Sequence, residues 1–249
     1  MPPACDEPII VAERLTIGYG DTVVLADLDF TVAAGVIFAI LGGSGSGKST
    51  LLRQLIGLEE PMRGRIMVHG APPRRDAGPP PYGVLFQSGA LFGSMTLFDN
   101  VALPLRQWTG LDRRAIETIV RSKLRLVGLE GFEHHLPAEI SGGMKKRAGI
   151  ARALALDAPL LFLDEPSAGL DPVSSAELDT LILTLNRSLR MTTVIVTHEL
   201  PSIFAIVSDC ILLDRGAQGI IARGNPQTLR DAHDDPRVHA FFNRTPRAA

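Results

Sequence analysis

The stretch Gly42-Gly43-Ser44-Gly45-Ser46-Gly47-Lys48-Ser49, called the phosphate loop below, decides the fold of this chain. It matches the pattern G-x-x-x-x-G-K-[ST] at every fixed position. The apolar run Val36–Leu41 precedes the loop, and Thr50–Ile56 follows it with the composition of a helix start. In such a strand–loop–helix, the glycines let successive backbone N–H groups face a phosphate, and the helix N-terminus adds positive charge. The sequence therefore predicts a site for a phosphorylated ligand, with a flexible glycine–serine turn as the alternative.

The side chains of the phosphate loop suit a nucleotide with its magnesium ion. We expect Lys48 to neutralise the β- and γ-phosphates and Ser49 to supply a ligand to the metal. ATP and Mg²⁺ are therefore the predicted ligands. The residues expected to contact the nucleotide belong to the loop and the first helical turn: Gly42, Gly43, Ser44, Gly45, Ser46, Gly47, Lys48, Ser49 and Thr50.

A second apolar run, Leu160–Leu163, ends in two acidic residues, Asp164 and Glu165. Ligands of open α/β sheets bind at the carboxyl ends of the strands, so both carboxylates are candidates for the chemistry. We expect Asp164 to join the magnesium shell opposite Ser49. We expect Glu165 to polarise the attacking water as general base. The alternative is a pair of ordinary acids at the end of a strand.

Strand patterns of two kinds occur along the chain. Continuously apolar runs are typical of parallel strands that are buried on both faces. The earliest runs alternate between apolar and polar residues, which favours a small antiparallel sheet. The predicted strands are Ile9–Ile17, Val23–Phe30, Val36–Leu41, Arg65–His69, Gly83–Phe86, Leu160–Leu163, Thr193–Thr197 and Cys210–Asp214.

Three further segments carry helix signals. Asp112 is a candidate cap for a helix with a one-sided apolar stripe. Ser141 precedes a second helix that runs to about Leu156, and a third follows Pro172 with Ser174 and Glu177 as its capping box. The apolar stripes consist of Ile116, Ile119, Val120, Leu124 and Val127 in the first helix, and Leu178, Leu181, Ile182, Leu185 and Leu189 in the third.

The composition argues against a broad nucleic-acid-binding face. The formal net charge is -2 and the sequence pI about 6.3, whereas such a face needs clustered positive charge. The N-terminal residues lack the basic start and apolar core of a signal peptide. No apolar run approaches the ~18–20 residues that cross a bilayer. We therefore expect a cytoplasmic protein with no nucleic-acid partner.

The segment Ile140-Ser141-Gly142-Gly143-Met144, called the signature segment below, resembles the L-S-G-G-Q motif of ABC ATPases. The other motifs of that family occur in the same order: the phosphate loop, Gln87, the signature segment, Asp164-Glu165, and His198. The resemblance extends from about Ile9 to Arg223. It implies an α/β fold, namely a P-loop NTPase (RecA-like) core with a small antiparallel β subdomain and an inserted helical subdomain.

The same resemblance implies a division of the chain. We expect residues 1–249 to form a single ABC ATPase domain. Its core lobe comprises about 1–87 and 157–225, its helical lobe about 88–156, and its C-terminal tail about 226–249.

The resemblance also implies roles that the residue patterns alone do not provide. In the family, two subunits pack head to tail and enclose two ATP molecules. Gln87 would then contact magnesium and the attacking water, and His198 would bind the γ-phosphate. Tyr19 would stack on adenine, or it covers the sheet as a turn aromatic. The residues that would donate hydrogen bonds to the γ-phosphate held by the partner subunit are Ser141, Gly142 and Gly143. Asp171 would lie in the loop that meets the partner subunit.

Three stretches are similar to those of Mla/Mce-type lipid-transport ATPases: Phe86–Phe92 followed by Met95–Val101, Ser141–Arg147, and Asp235–Phe241. Met144 replaces the glutamine of most ABC ATPases, as in that group. This likeness implies a membrane permease that moves phospholipid or a related hydrophobic molecule, with an Mce-domain protein and a STAS-domain protein as further partners. The chain would then lie on the inner face of the membrane through the permease. The short, proline-rich segment Ala71–Pro81 departs from the group.

Several alternatives stay open on the sequence. The chain is an ABC ATPase for another cargo, or a soluble ABC protein that acts on DNA or ribosomes. The basic run Lys145-Lys146-Arg147 is interpreted as a solvated helix face, or as a contact to membrane phosphates. One apolar group either lines a groove for a permease helix or packs inside the helical lobe: Phe92, Met95, Leu97 and Phe98.

Overall fold

A computed structural model describes residues 8–73, 78–232 and 234–245, and within them it has a mixed α/β architecture. The strands are β1 (Pro8–Tyr19), β2 (Thr22–Ala33), β3 (Ile37–Gly42), β4 (Arg63–Val68), β5 (Tyr82–Leu85), β6 (Leu160–Asp164), β7 (Thr192–Val196), β8 (Asp209–Asp214) and β9 (Gly219–Gly224). The helices are α1 (Lys48–Leu55), α2 (Leu97–Trp108), α3 (Arg113–Leu126), α4 (Gly142–Ala153), α5 (Pro172–Leu189), α6 (Leu200–Ile206), α7 (Pro226–Ala232) and α8 (Pro236–Asn243).

The chain divides into two compact units. The first comprises Met1–Asp76 and Arg190–Ala249, and the second comprises Ala77–Leu189. The first unit contains the antiparallel sheet β2-β1-β4, as the alternating sequence pattern predicts. It also contains β7, β3 and β8, which pair in parallel with β3 in the centre, and β9, which runs antiparallel to β8.

The central strand β3 sets the position of the phosphate loop in the first unit. All six of its residues are buried, in agreement with its continuously apolar sequence. Ile40 pairs with Val196 of β7, and Gly42 pairs with Leu213 of β8. Because the three strands are parallel, the segments that follow them leave the sheet at the same edge.

The second unit joins the parallel pair β5–β6 with helices α2–α5. The predicted stripe of α3 is confirmed at four of its five positions, since Ile116, Val120, Leu124 and Val127 are buried. The predicted cap is also confirmed, because Asp112 accepts a hydrogen bond of 2.8 Å from the backbone N–H of Ala115.

Helix α2 was not among the predicted helices, and its sequence shows why. It contains Pro104, a residue that removes a helical hydrogen bond and normally ends a helix. A buried side chain holds the segment before it. Asn100 accepts from the backbone N–H of Phe92 at 2.8 Å and donates to the carbonyl oxygens of Phe92, Met95 and Thr96. These hydrogen bonds fix the chain directly before α2 and define where the helix begins.

The start of α5 corrects one prediction. Ser174 and Glu177 do not form a capping box. Instead Asp171 accepts hydrogen bonds from the N–H groups of Val173 and Ser174, both at 3.0 Å, and Glu177 forms an ion pair of 2.6 Å with Arg147 of α4. The predicted stripe of this helix fails at its end, where Leu189 is exposed. Strand β9 was not among the predicted strands, because its sequence lacks a long apolar run.

Strand β5 and helix α4 approach each other at Gly83. A Cβ atom at this position would lie 2.2 Å from the carbonyl oxygen of Ala153, which is backbone and cannot rotate away. We therefore expect Gly83→Ala to lower the free energy of unfolding by about 1–3 kcal/mol. Urea titration followed by circular dichroism measures the change.

Gly93→Ala is the matched control for this prediction, because a Cβ at Gly93 would meet nothing within 4 Å. Equal unfolding free energies for the two variants would show that β5 and α4 are not packed this closely.

Candidate functional site

The phosphate loop lies between the buried strand β3 and helix α1. Helix α1 begins directly at Lys48, with Gly47 as its N-terminal cap residue. Residues 43–45 are exposed, whereas Ser46 is buried. The loop thus presents exposed backbone in front of a helix N-terminus, an arrangement that attracts anions.

Two glycines of the loop are required by close approach as well as by backbone conformation. At Gly42, φ is 151°, and a Cβ would lie 2.4 Å from Ser46 Oγ and 2.6 Å from the carbonyl oxygen of Leu213. At Gly47, φ is 92°, and a Cβ would lie 2.9 Å from a methyl carbon of Leu25. The fixed glycine positions of the motif therefore have a steric origin.

Lys48 turns its ammonium group back toward the loop. The Nζ atom donates hydrogen bonds to the carbonyl oxygens of Gly42 at 2.8 Å and Gly43 at 3.0 Å. The cation is therefore held beside the exposed part of the loop, where it can neutralise a phosphate.

Two further candidates belong to the first unit. His198 follows β7, and its side chain is 59% exposed with Nε2 at 3.8 Å from Glu199 Oε1. Since β7 and β3 are parallel neighbours, His198 and the phosphate loop share one sheet edge. Tyr19 ends β1, and its hydroxyl lies 3.2 Å from Thr50 Oγ1 and accepts from Arg53 at 3.3 Å. The residue is 49% exposed although its hydroxyl is held at α1.

The C-terminal helix α8 also borders the phosphate loop, which the sequence did not reveal. A cavity of about 370 Å³ is lined by Gly43 and Ser44 of the loop and by Arg237 and Phe241 of the helix. Arg237 anchors the helix through ion pairs with Asp214 at 3.3 Å and Asp235 at 2.7 Å. Helix α8 therefore shapes the surroundings of the loop.

The second unit brings Gln87 and the two acids to one edge of the pair β5–β6. Leu85 pairs with Leu163, so Gln87 and Asp164-Glu165 follow neighbouring parallel strands. Glu165 has φ of 46°, a left-handed conformation that is costly for a residue with a Cβ. Such backbone strain at a strand end is typical of functional positions.

Lys146 corrects the prediction of a solvated basic face. It is only 6% exposed, and its ammonium donates to the carbonyl oxygens of Gln87 at 2.5 Å and Glu165 at 3.3 Å. Burial lowers the pKa of Lys146, while the carboxylates of Asp164 and Glu165 act in the opposite direction. The sequence did contain a signal, because Lys146 lies four residues before the buried Ile150 on α4.

The signature segment forms the start of helix α4. Ser141 is the N-terminal cap, and its hydroxyl accepts from the N–H of Met144 at 3.2 Å. Gly142 is exposed, and a Cβ there would lie 3.5 Å from Leu170. Hydrogen bonds from Ser174 hold the pKa of the neighbouring Asp171 below its usual value. The predicted signature residues thus present a capped helix N-terminus beside the loop of Asp171.

Arg152 is a second, half-buried cation that the sequence did not single out. It donates to the carbonyl oxygens of Ala90 at 2.6 Å and Gly89 at 3.3 Å, and burial lowers its pKa. Arg152 therefore holds the segment after Gln87 against α4. The apolar residues considered for a permease groove differ in exposure: Leu97 is buried, whereas Phe92 is 52% exposed.

The predicted magnesium ligands are all oxygen donors: the Ser49 hydroxyl, the Gln87 side-chain carbonyl and the Asp164 carboxylate. Such a sparse set suits Mg²⁺, which keeps several waters and takes the rest of its shell from phosphate oxygens. In residues 8–73, 78–232 and 234–245, no group of three or more His, Cys, Asp or Glu side chains is placed to hold a metal ion. The side chains of Ser49, Gln87 and Asp164 each carry an oxygen of the kind that Mg²⁺ accepts as a ligand.

A phosphate loop after a buried parallel strand, together with a signature-like capped helix, defines a nucleotide-binding protein of the P-loop class. The chain belongs to the ABC transporter family, whose model, described as "ABC transporter", matches residues 25–168. This match confirms the family that the motifs predict.

Sequence similarity to two transport ATP-binding proteins supports the assignment to this family. The probable ribonucleotide transport ATP-binding protein mkl of Mycobacterium tuberculosis is 43% identical over 240 residues, which cover 94% of this chain. The chain spans 66% of the length of that relative. The intermembrane phospholipid transport system ATP-binding protein MlaF of Escherichia coli is 41% identical over 231 residues, covering 90% of this chain and 84% of MlaF.

A solved structure confirms the predicted fold class. The dimeric post-hydrolysis state of the ATP-binding cassette MJ0796, bound to ADP and Pi, has a TM-score of 0.75 and 26% identity. The similarity covers 87% of this chain and 98% of that one. Among residues 8–73, 78–232 and 234–245, none of the helices combines the length and the hydropathy of a membrane-spanning segment.

Proposed function

We propose that this chain is the ATP-hydrolysing subunit of an ABC transporter. The observation that carries the proposal is the phosphate loop, with its exposed backbone at the start of α1 and Lys48 bound beside it. The similar MJ0796 structure supports hydrolysis, because it holds ADP and Pi, which are the products of ATP hydrolysis.

Each residue then has a defined task. The phosphate loop and Lys48 bind the phosphates, and the ring of Tyr19 stacks on adenine. Ser49, Gln87 and Asp164 would hold Mg²⁺, which neutralises phosphate charge when it is bound. Glu165 accepts a proton from the attacking water, and His198 binds the γ-phosphate.

We propose a second copy of the chain as a partner, and the signature segment supports this proposal. Ser141 caps α4, so the N–H groups of Gly142 and Gly143 lie at a helix N-terminus suited to a phosphate. We propose that these groups bind the nucleotide held by the phosphate loop of the other copy. Asp171 then lies in the loop of this chain that contacts the other copy. The dimeric state of the similar MJ0796 structure agrees with this proposal.

For the cargo we propose phospholipid or a related hydrophobic molecule. The support is the 41% identity to MlaF, which is named for intermembrane phospholipid transport, and the similarity of three stretches to lipid-transport ATPases. A membrane permease would be the immediate partner and would hold the chain at the inner face of the membrane. Mce-domain and STAS-domain proteins complete the proposed assembly. The name of mkl points to ribonucleotide as the rival cargo.

Purification of the full chain from its own cells in mild detergent tests the proposal. We expect a permease to co-purify, and the complex in liposomes to move fluorescent phospholipid only with ATP. Lys48→Ala in the same complex is the control for ATP dependence.

The outcomes separate the alternatives. Transport of ribonucleotide but not phospholipid would remove the proposed cargo and leave the ATPase role. Co-purification with ribosomes or DNA, and no permease, would contradict a transporter.

A further inference from the structure

Lys146 occupies an unusual place for a lysine. It lies in the second turn of α4, five residues after the cap Ser141, and is 6% exposed. A buried ammonium group is costly unless hydrogen bonds and opposite charges compensate it. We therefore expect the hydrogen bonds of the Lys146 ammonium group to explain why a lysine is buried at this position.

The ammonium of Lys146 joins two segments that the proposed reaction needs. It donates to the carbonyl oxygen of Gln87 at 2.5 Å and to that of Glu165 at 3.3 Å. The two segments follow β5 and β6, and Lys146 is part of neither. One side chain thus ties the start of α4 to both.

The bond to Glu165 acts on a strained piece of backbone. Glu165 has φ of 46°, a left-handed conformation that is unfavourable for a residue with a Cβ. Its carbonyl oxygen accepts from Lys146 and also from the N–H of Ala168 at 3.1 Å. These two donors hold the carbonyl, and with it the direction in which the Glu165 side chain leaves the backbone.

We propose that Lys146 is a positioning residue for ATP hydrolysis, which fixes the backbone at Gln87 and Glu165 so that both side chains are placed for the attacking water. The inference rests on the proposed function. It predicts that loss of Lys146 affects turnover more than nucleotide binding, because the phosphate loop belongs to other elements. A displacement of about 1 Å at a reacting group reduces the rate by about 100-fold.

The test compares Lys146→Met, Lys146→Arg and the wild-type chain in steady-state ATP hydrolysis. Methionine keeps an unbranched apolar stem and removes the ammonium, whereas arginine keeps the charge and several donors. We expect kcat of Lys146→Met to fall about 10- to 100-fold, with KM and the Kd for ATP within about threefold of wild type. We expect kcat of Lys146→Arg to lie closer to wild type. Lys145→Met, one position along the same helix, should leave all three constants unchanged.

Melting temperatures are measured first, and if Lys146→Met does not fold, Lys146→Gln with its neutral donor replaces it. Wild-type kcat in Lys146→Met would overturn the inference. Parallel losses of kcat and ATP affinity in both the Met and Arg variants would also overturn it, because they indicate a structural role alone. A wild-type chain that does not hydrolyse ATP would instead refute the proposed function.

Discussion

Replacing Glu165 by Gln is expected to lower ATP turnover by about 10²- to 10⁴-fold, the usual contribution of general base catalysis. The amide has nearly the same shape as the carboxylate but cannot accept the proton of the attacking water. ATP binding should persist, because the phosphate loop and Lys48 are unchanged. The Kd for ATP should therefore stay within about threefold of wild type, while kcat falls by the factor given above.

Rapid-quench kinetics and calorimetric titration measure the two quantities separately. Glu130→Gln is the matched control, because Glu130 is an exposed carboxylate in the same unit of the structure. Normal turnover in Glu165→Gln would remove Glu165 as the base. If the proposed sandwich forms, the ATP-loaded variant should also elute as a dimer in size-exclusion chromatography.

Replacing Lys48 by Ala is expected to weaken ATP binding itself. A hydrogen bond to a charged group contributes about 1.5–3 kcal/mol, so the Kd should rise about 10- to 150-fold. The same change removes the two bonds from Nζ to the carbonyl oxygens of Gly42 and Gly43, which hold the loop. Both effects act on nucleotide affinity.

Fluorescent ATP analogues measure the Kd of Lys48→Ala. Lys145→Ala removes a lysine of the second unit and should bind ATP as wild type does. An unchanged Kd in Lys48→Ala would show that the phosphate contact lies elsewhere. Together with Glu165→Gln, this variant separates binding from chemistry.

The sequence predicts well those structural elements that depend only on neighbouring residues. The buried strand β3, the phosphate loop and the cap Asp112 all follow from patterns within a few residues. Gln87 and Glu165 share an edge because β5 and β6 are parallel neighbours, and the sequence could predict this only through the resemblance to a family.

The errors have both local and distant causes. Helix α2 forms despite Pro104 because buried contacts outweigh propensity, and Asp171 replaces Ser174 as the cap because a carboxylate directly before the helix accepts two N–H groups. The predicted exposure of Lys146 is wrong because two backbone carbonyl oxygens bind its ammonium group. Its partners, Gln87 and Glu165, are 59 and 19 residues away in sequence.

The left-handed backbone of Glu165 has a consequence for protein engineering. Glycine or asparagine adopts this conformation at lower cost than glutamate, so a design method that rewards stability alone would replace the residue. The more heat-resistant product would have lost its proposed base. Position 165 is thus a site where thermostability and turnover favour different amino acids, and stabilised variants should keep it fixed.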